Sequence, residues 1–266
     1  MHPPRLSRRS MLALLPLGMT LAAVKPGLAV PAVGATRYLD LGAPPLRRVV
    51  DRVVAGLATD RDRAVVLHDW VRDRIPFGFA AGFWDQRAST VLRVGRGYCN
   101  TKSTLFTALL RIAGIPARQV FVDIDAAVLH GLVDPGTPFV DHSYVEVWIE
   151  GAWRATDSYI VDKPLFQAAR QRAGTEGRRF GYGVHATGTC DWDGLSPAFS
   201  QYNLNQAGGI DAAPLGTRVW GVFEDVGAFY DQAEGTWSRL NGLARAGFGL
   251  LAGGANGRAE DLRRGL

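Results

Sequence analysis

Cysteine, histidine and aspartate are the side chains in this sequence whose contexts could support covalent chemistry. Cys99 stands in Gly97-Tyr98-Cys99-Asn100-Thr101-Lys102-Ser103, directly before a periodic apolar run. Leu105, Leu109 and Ile112 recur at helical spacing, with Phe106, Leu110 and Ala113 in a second row beside them. Gly114 and Ile115-Pro116 stop the run. Cys99 therefore falls in the first turn of a buried helix, where unpaired backbone N–H groups and the macrodipole favour an anion. A thiol with a free pKa of about 8.5 is drawn toward thiolate in that setting. The thiolate is the nucleophilic form, so the position suits covalent catalysis.

A nucleophile needs a base, and the base needs an orienting partner. His68 lies mid-helix beside Trp70, and His130 and His185 sit in loops without a patterned neighbour. His142 stands at the mouth of the clearest strand, Ser143 to Ile149, where Val145, Val147 and Ile149 alternate with Tyr144, Glu146 and Trp148. Glu150-Gly151 marks a hairpin turn and Ala152 to Thr156 the returning strand. Antiparallel partners sit equally far from the turn, so Tyr144 faces Asp157. His142, two residues along on the same face, becomes the diagonal neighbour of Asp157, about 7–8 Å away at the backbone. A carboxylate so placed can hold an imidazole tautomer. Asp141 points to the other face and is the poorer partner. A Cys, a His and an Asp occur in any chain of this length, so the argument rests on their contexts. The Cys99 backbone N–H would serve as one oxyanion donor, and Gln86 or Trp84 in the preceding loop as a second; both also read as ordinary loop or packing residues.

The supporting elements follow from periodicity and punctuation. Pro44 to Leu57 is a helix with Val49, Val50, Val53, Val54 and Leu57 on one face. Thr59 or Asp60 caps a second helix that Pro76 stops. Phe77-Gly78-Phe79 is extended, Gly82 to Arg87 is loop and Ala88 to Arg93 a short helix. Arg118 to Ile124 is a strand, followed by a Gly- and Pro-rich loop from Leu132 to Pro138. Beyond Pro164 the pattern weakens. Gly174 to Gly194 reads as irregular and Leu215 to Phe223 as extended. Val226, Tyr230, Trp237, Leu240, Phe248 and Leu251 lie on one amphipathic helix starting from Phe223, and Gly253 to Leu266 reads as a frayed tail.

The chain has 266 residues and 47% hydrophobic content, enough for one large domain or two small ones. Its formal charge is +5, but residues 1–29 hold Arg5, Arg8, Arg9 and Lys25 and no acid. Without those four, 26 basic residues face 25 acidic ones, a net of +1. No basic stripe remains to neutralise phosphates, which argues against nucleic acid as a partner. Ser7-Arg8-Arg9-Ser10-Met11-Leu12 is a twin-arginine pattern, followed by an apolar stretch to Val24 and small residues up to Ala29. Residues 1–29 thus read as an export signal, and the destination as the periplasm or beyond. The stretch is shorter than the roughly 20 residues a membrane span needs, so no stable span is expected after cleavage. Cys99 and Cys190 suit neither a zinc cluster nor a CxxC pair. A bridge between them would be the structural alternative to a catalytic Cys99.

These residues also carry a resemblance. Gly97-Tyr98-Cys99, Leu105 to Leu110 and Arg111-Ile112-Ala113-Gly114-Ile115-Pro116-Ala117-Arg118 resemble the first motif of the bacterial transglutaminase-like superfamily. His142-Ser143-Tyr144-Val145-Glu146-Val147-Trp148, and on through Trp153 to Asp157, resembles its second and third motifs. The resemblance runs from about Asp60 to Lys163. It implies an α+β, papain-like core with the nucleophile at a helix N-terminus packed on an antiparallel sheet. It also implies a Cys99, His142, Asp157 triad, and neither cofactor nor metal is expected. Residues 30–164 would form that core with its N-terminal helices, and 165–266 a C-terminal helical extension packed on it. Two departures point away from protein cross-linking. Asn100 stands where transglutaminases often carry an aromatic, and no acidic cluster suggests their calcium sites. The expectation is an exported cysteine hydrolase or acyl transferase acting on amides of peptides, proteins or cell wall. The alternative is a catalytically silent periplasmic binding or assembly module on the same fold.

Overall fold

A computed structural model describes residues 33–201, 219–232 and 242–266. The leader, Leu215 and the stripe residues Trp237 and Leu240 lie outside these residues. Helix α1, Pro44–Val53, has proline in its first turn, where the missing N–H costs nothing. It ends earlier than the valine pattern suggests, at Val53 rather than Leu57. The Thr59 hydroxyl accepts from the Asp62 N–H and starts α2, Asp60–Arg74. Asp60 and Asp62 in its first turn and Arg72 and Arg74 in its last complement the macrodipole. Helix α3, Ala88–Val94, stops at left-handed Gly95. Helix α4, Cys99–Ile112, stops at left-handed Gly114, where the Ile115 N–H reaches back to Leu110 O at 2.9 Å. All of α4 except Ile112 is buried.

The sheet is antiparallel. Strands β1, Ala117–Asp125, β2, Phe139–Ile149, and β3, Ala152–Thr156, are joined at the edge of β1 by the later strand β6, Val219–Phe223, giving the order β3-β2-β1-β6. Glu150 and Gly151 both take positive φ, as a tight hairpin turn demands, and Val145 pairs with Thr156. The odd residues Val145, Val147 and Ile149 pack against α4 in the main core. The opposite face carries Val120, Val122, Ile124 and Tyr144, covered by Phe199. Strand β2 begins four residues before the expected Ser143 because Phe139 and Val140 pair with Asp125 and Ile124. His142 therefore lies inside the strand and not at its mouth.

The region after Asp157 is more ordered than its composition implies. Asp162 accepts from the Leu165 N–H and Pro164 occupies the first turn of α5, Lys163–Thr175, so this proline opens a helix. Two-residue strands β4, Phe180–Gly181, and β5, Val184–His185, pair in an otherwise irregular stretch. Strand β6, Val219–Phe223, takes Phe223 out of the expected helix. Val226 and Tyr230 fall on α6, Val226–Gln232. Helix α7, Gly242–Arg263, replaces the expected frayed tail. Its alanines Ala252, Ala255 and Ala259 are buried at helical spacing, and Arg263 donates to both Asp162 carboxylate oxygens and to Phe77 O. A face of small residues carries little hydropathy signal yet permits close packing. Among the described residues no helix is long and apolar enough to cross a membrane. Cys99 and Cys190 are both free thiols, so no bridge joins them.

Lys102, one turn into α4, is fully buried. Its Nζ donates to Ile160 O at 2.8 Å and Arg72 O at 3.3 Å, tying α2 to the segment before α5. Two carbonyl acceptors match the two N–H bonds of a neutral amine. Burial lowers its pKa from 10.5 to about 7, with Asp162 and Asp73 opposing and Arg263 and Arg72 assisting. The unfolded chain holds this proton up to about pH 10.5 while the folded chain releases it near 7. Stability therefore rises with pH across that window, and the contribution is lost as pH falls through 7. Urea unfolding between pH 6.5 and 9.5 should show the slope, and Lys102→Met should flatten it.

Candidate active site

The approach to Cys99 is set by Gly97, where a Cβ would come within 2.6 Å of Thr101 Oγ1 and 2.9 Å of Lys102 Cγ. Only a glycine lets the chain turn this tightly into α4. The Thr101 hydroxyl accepts from the Tyr98 N–H at 3.0 Å and closes the helix start. The β2–β3 ladder stops at Val145 and Thr156, so the β3-side edge of β2 at Asp141–Ser143 has no strand partner. The Cys99 sulfur occupies that edge. It lies 4.0 Å from Asp141 O and 3.6 Å from Asn100 Oδ1, and the Ser143 N–H points at it. Burial pushes the thiol well above its ordinary range, and the nearby Asp141 carboxylate adds to this. The N–H groups of Ser143 and Asn100 oppose them and do not prevail. This overturns the expectation of a resting thiolate. The helix start faces protein rather than water, so desolvation outweighs the macrodipole, and two acceptors hold the neutral S–H.

His142 and Asp157 meet as the hairpin register requires. Nε2 of His142 lies 3.1 Å from Oδ2 of Asp157, and both residues are 0% exposed. A carboxylate only accepts, so Nε2 is the donor of this pair. Asp157 is itself held from the C-terminal side. Its Oδ1 accepts from the Ser200 N–H and, at 3.0 Å, from the Ser200 hydroxyl. The Gln201 N–H lies 3.4 Å from each carboxylate oxygen. Ala198 pairs with Thr156 and its carbonyl accepts from the Asp157 N–H, so residues 198–201 continue the sheet edge where β3 ends. Ser200 and Gln201 have no sequence signature that marks them, since their role is a contact across more than forty residues.

The remaining residues singled out by sequence are placed differently. The Asp141 carboxylate accepts from Asn100 Nδ2 and Tyr230 Oη, each at 2.7 Å, and links α4 to α6. Trp84 stacks on Tyr230 with ring centres 4.3 Å apart. The Gln86 side-chain amide donates to Phe83 O at 2.8 Å within its own loop. Neither Trp84 nor Gln86 lines the cavity beside the sulfur. His68 forms a second triad-like chain, with Nδ1 2.8 Å from Asp69 Oδ1 and Nε2 2.7 Å from Ser158 Oγ. His68 and Ser158 are sealed from solvent and packed on Phe106, Tyr159 and Trp192, so no substrate can reach them. Cys99 and His142, by contrast, line one cavity of about 110 Å³.

Residues 47–158 match the transglutaminase-like superfamily. No curated protein matches the chain. Among solved structures, a candidate cysteine protease from Cytophaga hutchinsonii aligns at 18% identity with a TM-score of 0.39, covering 47% of this chain and 40% of that one. A candidate protease from Parabacteroides distasonis aligns at 14% identity with a TM-score of 0.32, covering 42% of this chain and 22% of that one. The chain spans less than half the length of either.

The carboxylate cradle has a measurable worth. Asp157→Ala strands the Ser200 and Gln201 amides and the Ser200 hydroxyl in a buried site. Urea unfolding should show a loss of about 3 kcal/mol or more, whereas Asp69→Ala, at a half-open surface, should cost about 1 kcal/mol.

Proposed function

Residues 47–158 belong to the transglutaminase-like superfamily, and on that premise we propose that the protein is an exported cysteine-dependent amide hydrolase or acyl transferase. The observation that carries this reading is the His142–Asp157 contact, with His142 lining the same cavity as Cys99. Cys99, His142 and Asp157 act as nucleophile, base and orienting carboxylate. Burial raises the thiol pKa, so in this reading His142 Nδ1 takes the thiol proton as the sulfur attacks an amide carbonyl. The S–C bond forms, and the Cys99 backbone N–H stabilises the oxyanion. The imidazolium, held by Asp157, then gives the proton to the leaving amine as the C–N bond breaks. Water, or a second amine, resolves the thioester by the same steps in reverse. Gln86 and Trp84 remain the proposed second oxyanion donors, and either would have to leave its present partner to serve.

Cys99→Ala and His142→Ala test the assignment. With activated acyl esters, the intact mass of the protein should gain a hydroxylamine-labile acyl group on Cys99. Cys99→Ala should abolish it, and His142→Ala should slow its formation by about 10²–10⁴-fold. One observation favours the silent-module alternative: the thiol is buried and its pKa raised. Acylation that is absent, or indifferent to His142→Ala, would establish that alternative.

The proposed domain division places an export leader at 1–29, the core at 30–164 and an extension at 165–266 that completes the site. The twin-arginine pattern supports periplasmic delivery. Replacing Arg8 and Arg9 with lysine should retain the protein in the cytoplasmic fraction, with its leader intact.

A further inference from the structure

The cavity beside Cys99 is far from neutral as to what it can hold. Its wall is built mainly from Phe79, Phe83, Ile124, Val128, Leu129 and Val140, contributed by the segment before α3, the end of β1, the short 3₁₀ turn Ala126–Leu129 and the start of β2. Leu251 of α7 stands at the rim, 55% exposed. Apart from Cys99 and His142, four polar side chains border it among the described residues: Asp134, Asp141 and Gln201, which hydrogen-bond elsewhere, and Tyr98, whose ring stacks on Phe83. The Asp141 carboxylate accepts from Asn100 and Tyr230. Asp134 accepts from the Gly136 N–H at 2.9 Å. Gln201 donates to Gly183 O at 2.7 Å. A charged group entering here would give up its hydration against a mainly apolar wall, and an acidic one would also face the Asp134 and Asp141 carboxylates.

The wall is also braced. Asn256 of α7 accepts from the Phe79 N–H at 2.8 Å and donates to the Phe79 carbonyl at 2.9 Å, fixing that residue by both backbone groups. Arg263 reaches the Phe77 carbonyl two residues earlier. The cavity is thus a fitted hollow and not a gap that closes when empty. Its volume of about 110 Å³ is smaller than an apolar cavity of about 150 Å³ that holds benzene. That suits a branched aliphatic chain of leucine size and excludes an indole. A wider, open groove of about 730 Å³ meets it along Val133, Asp134 and Pro135, so a substrate chain has room to continue outward.

Resting on the catalytic reading above, we propose that this cavity is the acyl-side specificity pocket and selects a medium-sized aliphatic side chain next to the reacting carbonyl. The acyl part is the one retained on the sulfur through the thioester, and the cavity closes round that sulfur. The preferred substrates are then amides or peptides with leucine-like residues at that position, in place of acidic, basic or glycine residues.

The test is a series of N-acetyl aminoacyl acyloxymethyl ketones bearing Gly, Ala, Leu, Trp, Asp or Lys side chains, in which the Cys99 sulfur displaces the carboxylate leaving group. Alkylation rates are read by intact mass beside those of iodoacetamide, which is too small to use the cavity. The Leu probe should react on the order of 10- to 100-fold faster than the Gly probe, with Trp, Asp and Lys at or below Gly. Leu129→Trp should erase the rate advantage of the Leu probe over the Gly probe. Leu251→Trp, at the exposed rim, should reduce it, and serves where Leu129→Trp does not fold. A flat series, or a preference for Lys or Asp, beside iodoacetamide labelling that depends on His142 overturns the pocket and leaves the catalytic reading standing. A Leu preference with labelling indifferent to His142→Ala keeps the pocket and removes the catalytic reading.

Discussion

The geometry of the site depends on how Asp157 is held. A buried carboxylate is costly unless its oxygens are filled by donors, and here the donors come from both sides. His142 reaches it across the hairpin, while the Ser200 and Gln201 amides and the Ser200 hydroxyl reach it from the segment that prolongs the sheet edge. That segment lies beyond the 47–158 match. The matched region therefore supplies Cys99, His142 and Asp157, and the segment beyond it supplies the donors that fix Asp157. Tyr230 repeats this pattern on the other side of the sulfur through Asn100 and Asp141.

The early end of β3 is what admits the sulfur. Had the ladder run four residues further, strand backbone would cover the Asp141–Ser143 edge. Instead the ladder stops at Thr156, and the start of α4 fills the edge with Cys99. The same placement that brings sulfur beside His142 strips it of water. The position of the sulfur and its raised thiol pKa are thus two results of one packing choice.

Local signals were legible wherever one residue type fixes a backbone state. Gly114 ends α4, Glu150-Gly151 sets the hairpin register, and Thr59 caps α2. From that register the His142–Asp157 pairing follows by parity alone. Signals failed where the meaning of a residue depends on distant partners. The pattern weakens beyond Pro164 because the helix this proline opens shows itself only when Asp162 is seen to cap it. The alanine face of α7 is invisible to a hydropathy pattern, although Ala252, Ala255 and Ala259 are among its buried residues. The charge state of Cys99 could not be read from its position in the helix, because the macrodipole is a local property and desolvation is not.

The grip of Asn256 on Phe79 bears on the order in which the molecule is made. A primary amide offers the same donor and acceptor as a peptide unit, so this side chain stands in for a strand neighbour that the loop lacks. Gly78 permits it, since a Cβ there would come within 2.8 Å of Asn256 Oδ1. During synthesis Cys99 emerges some 150 residues before Asn256. The nascent chain thus carries the sulfur long before it carries the residue that braces the recess beside it.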